Sequence, residues 1–189
     1  MCAENKLDIA ISIDENYKNE NLKSRLLLEE KLYLCVSDRL LEKYVDDLEA
    51  LKKKSFKKID LKDFEKVPFL LYTQDNRIRS LINQSFKSAN VRPIDYIETA
   101  YSRIALAICN KALAAVFISQ MNIKRWRHEF GDDINIFPLY SKGKPVSLGI
   151  YAIKNKNRYI TKYAKRFVEL LEEYFDSINS EKLEKIAKK

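Results

Sequence analysis

Few side chains in this sequence are placed to do chemistry. The single histidine, His128, stands beside Trp126 in a basic stretch, with no second acid or base positioned to work with it, so it is not read as a general base. Cys2, Cys35 and Cys109 are odd in number and widely spaced, and with no CxxC pair and one histidine they form neither a zinc nor a disulfide framework. Cys109 falls in an apolar helical rhythm and reads as a buried small hydrophobe. Asp14, Glu15 and Glu20 make no evident carboxylate pair. With three glycines in 189 residues there is no GxxxxGK and no GxGxxG, the loops that bring bare backbone close to phosphate. The expectation is a protein that is not an enzyme, with no catalytic residue, no metal and no cofactor.

What remains are hydroxyl and amide side chains where strands end. The most informative stretch runs from Arg103 to Gln120. A helical rhythm (Ile104, Ala107, Ile108) leads into a short apolar run, Leu113 to Ile118, the length of a buried strand. Ser119 closes it and can accept from the amides of a following helix, Gln120 to Arg127. A strand whose carboxyl end opens on a helix start is where open α/β sheets take small ligands.

The formal net charge is +8, which invites a nucleic-acid reading. From Lys142 to Arg166, however, eight Lys or Arg occur with no acid, so one segment equals the whole excess. A second cluster is Lys52, Lys53, Lys54, Lys57 and Lys58. Lysine dominates over arginine, the better reader of bases and phosphates, and a solvated face is the favoured reading. The start carries Glu4 and Asp8 rather than a basic then apolar leader, and no apolar run approaches the ~18 residues of a membrane span. A reduced cytoplasm, with no membrane partner, is expected.

These site residues need elements to hold them. Leu7, Ile9 and Ile11 alternate with polar residues as a strand. Asp14 to Lys23 is turn-like. Leu26 to Leu28 and Leu32 to Val36 form extended pieces broken by Glu29, Glu30 and Lys31. Ser37 or Asp38 caps a short helix through Tyr44. Val45 to Lys58 is a charged excursion with one helical turn around Leu48 and Leu51, and Asp60 caps a turn through Phe64. Pro68 to Tyr72 is a buried strand. Thr73 to Asn76 are loop and cap residues before an amphipathic helix with Ile78, Leu81, Ile82 and Phe86 on one face, ended by Asn90 and Pro93. Further strands are expected at Ile94 to Ile97, Ile134 to Leu139 and Val146 to Ile153. A last amphipathic helix carries Ile160, Tyr163, Phe167, Leu170 and Tyr174, before a charged tail from Ser180. The alternation implies an α/β protein with a largely parallel arrangement, in two sheets.

The order Leu7-Asp8-Ile9-Ala10-Ile11, Glu30 to Ser37, Ile59 to Phe64 before Pro68 to Tyr72, and then residues 104 to 119 resembles the effector-binding domain of LysR-type transcriptional regulators. The resemblance covers Leu7 to about Phe175. It implies a two-lobe type 2 periplasmic-binding-protein-like fold, joined by two crossing strands, with a ligand between the lobes. It also implies truncation at the N-terminus: the family's helix-turn-helix and the first strand and helix of lobe I would precede Leu7. The implied organisation is 1-37, partial lobe I and crossing strand; 38-133, lobe II; 134-176, return strand and lobe I; 177-189, charged tail. Ala112 and Ala114 stand where the family has glycines, and Ser119 where it has proline. Because alanine disfavours positive φ, a different turn is expected there. Val45 to Lys58 reads as an insertion.

Carried onto this sequence, the resemblance implies effector contacts from Ser12 and Ile13, from Tyr72, Thr73 and Gln74, from Ser119 with Gln120 and Met121, and from Thr99. Plainer roles compete: Thr73 and Ser119 equally suit helix N-caps, Tyr72 suits packing, and Ser12 suits an ordinary strand position. The implied function is a small-molecule effector-sensing and dimerisation domain, a homodimer reaching DNA only through a helix-turn-helix domain not present in the sequence. A stand-alone solute-binding protein of the same fold is the alternative.

Overall fold

Charged residues at Glu29, Glu30 and Lys31 do not interrupt the chain's longest strand. In the computed structural model, which describes residues 7–13, 19–94 and 96–179, Leu22–Ser37 is one strand, β2, of 16 residues. Successive side chains point to opposite faces, so Glu29 and Lys31 reach solvent while Leu28, Glu30 and Leu32 are buried between and beside them. The expected break is therefore absent. Asp14, Glu15, Cys2 and the tail from Ser180 lie outside the described residues.

The described chain forms two compact units, residues 7–30 with 147–179 and residues 31–146. In the first, β1 (Ile9–Ser12) pairs antiparallel with β9 (Ser147–Asn155), Ile9 opposite Lys154, and β9 neighbours the first part of β2. Helix α6 (Lys162–Asn179) completes this unit, with Phe175 and Ile178 buried. Arg158 pairs with Asp8 at 2.9 Å and Arg25 with Glu172 at 2.7 Å.

The second unit holds the rest of β2, followed by α1 (Asp38–Leu41), α2 (Leu48–Ser55), a 3-10 turn at Leu61–Phe64, β3 (Phe69–Tyr72), α3 (Arg77–Ala89), β4 (Tyr96–Thr99), α4 (Ser102–Asn110), β5 (Ala115–Ser119), α5 (Gln120–Trp126) and β6 (Ile134–Pro138). A two-stranded hairpin, β7 (Tyr140–Ser141) with β8 (Lys144–Pro145), turns through Lys142 and Gly143, both at positive φ. Ser37 and Asp60 cap as the sequence predicts, accepting from the amides of Leu40 and Lys62. The charged excursion contains a full eight-residue helix rather than one turn, because Asp47 caps it by accepting from the Ala50 amide.

The sheet is mixed rather than largely parallel. β3 lies between β4 and β5 and is parallel to both, but β2 runs antiparallel to β5 and to β6. Every residue of β3 and β5 is buried, as expected of strands covered on both faces. On one face Phe86 of α3 meets Phe69 and Phe117, with ring centroids 5.1 and 5.7 Å away. On the other, Ala105, Leu106 and Cys109 of α4 pack with Leu70, Val116 and Ile118.

Candidate functional site

Strand order sets which strand ends the onward connections leave in opposite directions. The chain leaves β3 through α3 for β4 on one side, then returns through α4 to β5 on the opposite side of β3. From β5 it continues through α5 to β6, which pairs with β2 still further from β4. The connections after β3 and β5 thus diverge from two adjacent parallel strands. Such a switch point leaves a crevice at the carboxyl ends of the strands. Tyr72, Thr73 and Gln74 follow β3, and Ser119, Gln120 and Met121 follow β5.

The end of β3 is tied down from behind. Arg79, 4 % exposed, donates to the Tyr72 carbonyl through Nη1, to Glu98 Oε1 at 2.8 Å, and through Nε to Asn83 Oδ1 at 2.9 Å. Its guanidinium also lies 5.4 Å from the Tyr96 ring centroid. Gln74 Nε2 reaches the same Glu98 oxygen at 3.4 Å. The Thr73 amide donates to the Thr99 carbonyl at 3.2 Å, so the ends of β3 and β4 are held together. The sequence reading missed Arg79. Its signal was its spacing: Arg79, Ile82 and Phe86 stand three and seven residues apart, on the face of α3 that is buried.

The competing plain roles divide. Thr73 does not cap α3; Asn76 does, accepting from the Ile78 amide at 2.9 Å. Ser119 stands at the N-cap of α5 but makes no capping hydrogen bond, contrary to the expectation from its type, and it is buried. Thr99 is engaged locally, its hydroxyl accepting from the Tyr101 amide at 3.2 Å. Tyr72 is almost fully buried, consistent with a packing role for its ring. Met121 is partly exposed in the first turn of α5. Ser12 ends β1 opposite Tyr151 in the other unit, and Ile13 next to it is exposed. A separate concavity of about 450 Å³, lined by Lys54, Lys58, Ser85, Tyr140 and Lys142 among others, includes none of the predicted residues.

The turn leading into β5 keeps a left-handed residue although no glycine is present. Ala112 has φ 55°, with its amide bonded to the Cys109 carbonyl at 2.9 Å and that of Leu113 to Ile108 at 3.2 Å. This is the paired C-terminal closure usually built on glycine. The different turn expected from alanine is not adopted.

Among the described residues, no group of three or more His, Cys, Asp or Glu is placed to hold a metal. Burial pushes the Cys109 thiol up to about 12, with the Asp133 carboxylate adding to it, and burial raises Cys35 well above its ordinary value. Neither is a thiolate at neutral pH. No described helix is long and apolar enough to cross a membrane.

The fold is a mixed α/β one, with two parallel strands whose onward connections diverge. The chain belongs to the LysR substrate binding domain family, whose model matches residues 1–176. This is a family of regulatory domains of transcription regulators, not a class of enzymes. Among solved structures the chain is similar to the effector binding domain of QuiR in complex with shikimate, at 18% identity and TM-score 0.61 over 93% of this chain and 75% of that one. It is similar to the BenM effector binding domain with its effector benzoate, at 14% identity and TM-score 0.64 over 96% and 75%. It is also similar to the regulatory domain of HypT from Salmonella typhimurium in its apo form, at 16% identity and TM-score 0.62 over 94% and 76%. These identities carry the fold. The chain spans 54% of full-length BenM. Comparison with curated proteins gave no match.

Proposed function

We propose that this chain is the effector-sensing domain of a LysR-type regulator and takes a small molecule at the carboxyl ends of β3, β4 and β5. The observation that carries this reading is the divergence of the connections after β3 and β5, which leaves Thr73 and Gln74 on one side and Ser119 and Met121 on the other. Tyr72 and Thr99 support the same rim, through the carbonyl held by Arg79 and the backbone bond to Thr73. Ser12, which ends β1, and Ile13 after it are the remaining candidates that the family resemblance brings in. A ligand acts by its differential affinity for two states of the domain, and contacts that differ between them decide how far the equilibrium moves.

As in the sequence reading, we assign lobe II to residues 38-133. We also propose a homodimer in which helices and strand edges of lobe I pack on lobe II of the partner, a cytoplasmic location, and DNA recognition by a helix-turn-helix domain outside this sequence. The exposed Tyr96 and Ile97 of edge strand β4 support association through strand edges.

The test begins with a thermal-shift panel of small carboxylic acids that includes benzoate and shikimate, followed by calorimetry on the best stabiliser. Thr73→Ala and Ser119→Ala should each raise its Kd by about tenfold, the 1.4 kcal/mol of a lost hydrogen bond to a bound ligand. Unchanged affinity in both variants overturns this placement of the site.

A further inference from the structure

The concavity of about 450 Å³ on the second unit shares no residue with the strand ends of the proposed site. Three parts of the chain wall it. The end of α2 and the stretch after it bring Lys54, Lys58 and Ile59, the last turn of α3 brings Ser88, and the β7–β8 hairpin brings Tyr140 and Lys142. Ile59 and the neighbouring Leu61 are almost fully buried and give the lining an apolar part that Tyr140 extends. Charge on this lining is unbalanced. Lys54 Nζ is held by Asp63 Oδ2 at 2.6 Å, and Asp60, a carboxylate on the same lining, accepts the Lys62 amide at 3.1 Å. Lys58 and Lys142 have no carboxylate partner among the described residues, and the exposed Ser88 hydroxyl makes no hydrogen bond among them. The end of α3 is itself closed, since the Asn90 and Val91 amides occupy the Lys87 and Phe86 carbonyls.

Two unpaired ammonium groups on one concave, partly apolar lining hold a positive potential there, because low-dielectric walls concentrate the field. Lys142 is also held at a cost. The hairpin turns through Lys142 at φ 50° and Gly143 at φ 78°, and tight turns of this kind favour Asn-Gly, since a residue with a Cβ resists positive φ. Lysine at the first of these positions places its charge on the lining at the expense of the turn. We propose that this concavity is a second ligand site, taking a small organic oxyanion whose phosphate or carboxylate head sits between Lys58 and Lys142 and whose apolar body rests over Ile59, Leu61 and Tyr140. Ser88 supplies a hydroxyl donor to the same head. The volume lies within the roughly 300–1,000 Å³ of small-molecule sites. The length of α3, roughly 18 Å at the α-helical rise, separates this end of the helix from the end next to Thr73 and Gln74, so both sites can be filled at once.

Amide chemical-shift mapping by NMR on the full chain locates the ligand. Phenyl phosphate and phenylacetate are the probes, and phenol, a ring without the anionic head, is the control. Saturable shifts should centre on Lys58, Ser88, Lys142 and Gly143, the tighter of the two anions telling a phosphate site from a carboxylate site, and phenol should give none. Lys58→Ala and Lys142→Asn should each raise the Kd by about fivefold, the loss of one solvated charge pair. Asparagine accepts positive φ, so Lys142→Asn keeps the turn, and Lys142→Arg, which keeps the charge, should stay within about twofold of the native chain. Shifts confined to Thr73, Gln74, Ser119 and Met121 would overturn this second site and leave the function proposed above standing. Saturation by phenol, unchanged affinity in both charge-removing variants, or no saturable shift with either anion would overturn it as well.

Discussion

The Leu113 amide donates to the Ile108 carbonyl across Ala112, closing the end of α4 around a residue at φ 55°. For an L-residue with a Cβ this conformation costs roughly 1 kcal/mol. Ala112→Gly should relieve it, and the loss of one buried methyl offsets part of the gain. A net stabilisation of up to about 1 kcal/mol, or some 2–4 °C in Tm for a chain of this size, is expected by calorimetry. The same closure at the end of α3 uses Asn90, φ 56°, a residue that tolerates it. Asn90→Ala should move Tm in the opposite direction.

Arg79 holds the end of β3 through the Tyr72 carbonyl. Arg79→Met keeps most of the apolar stem but leaves a buried carbonyl without its donor, whereas Glu98 still reaches water. The expected cost is about 2 kcal/mol in urea unfolding. Because Thr73 and Gln74 follow that carbonyl directly, the affinity of the best stabiliser should fall in the same variant. A loss of stability with unchanged affinity would separate the anchor from the site.

Ser119 and Asn76 stand at the starts of α5 and α3 and should respond differently to alanine. Asn76 caps α3, so Asn76→Ala should cost about 1 kcal/mol. Ser119 makes no capping bond, and Ser119→Ala should cost well under half of that. Thermal melts of the two variants at equal concentration make the comparison.

Asp133 lies 2.7 Å from the Arg39 Nε, and that hydrogen bond, reinforced by the charge, holds its carboxyl below the ordinary value. A depressed carboxylate contributes stability at pH values above its unfolded pKa, and that contribution is lost as pH falls through the lower folded value. Asp133→Asn should therefore be less stable than the native chain at pH 7, by under about 1 kcal/mol because Arg39 is largely solvated. The difference should close below about pH 4. Urea titrations from pH 7 to pH 3 test the sign.

The element order was legible because periodicity and caps are local. Ser37, Asp60 and Asn90 each act through residues within five positions of themselves, and the pattern around them announced each boundary. Arg79 was not legible, since whether a charged residue joins the buried line of α3 depends on the Tyr72 carbonyl and Glu98, which the fold supplies. Glu30 was missed for a related reason: in a strand alternate residues face the same side, so one charge of three falls on the buried face. The mixed sheet was hidden as well. The apolar run of β5 reads the same whether its neighbour is the parallel β3 or the antiparallel β2. For the candidate site, residue types at strand ends marked Thr73 and Ser119, whereas the divergence of the connections that follow them came only from the strand order.

Strand β1 pairs Ile9 with Lys154, and β2 pairs Tyr33 with Pro138. Nearly the whole chain must therefore be available before the earliest segment can be completed. The β3–α3–β4–α4–β5 run needs only short loops to close and is positioned to form first, which makes it the natural nucleus. Residues 7–30, synthesised well before β9, are the last to find their partners. Mutations in β9 should thus slow completion of folding more than their burial alone would suggest, and expression yield should depend on how long β1 and β2 wait unpaired.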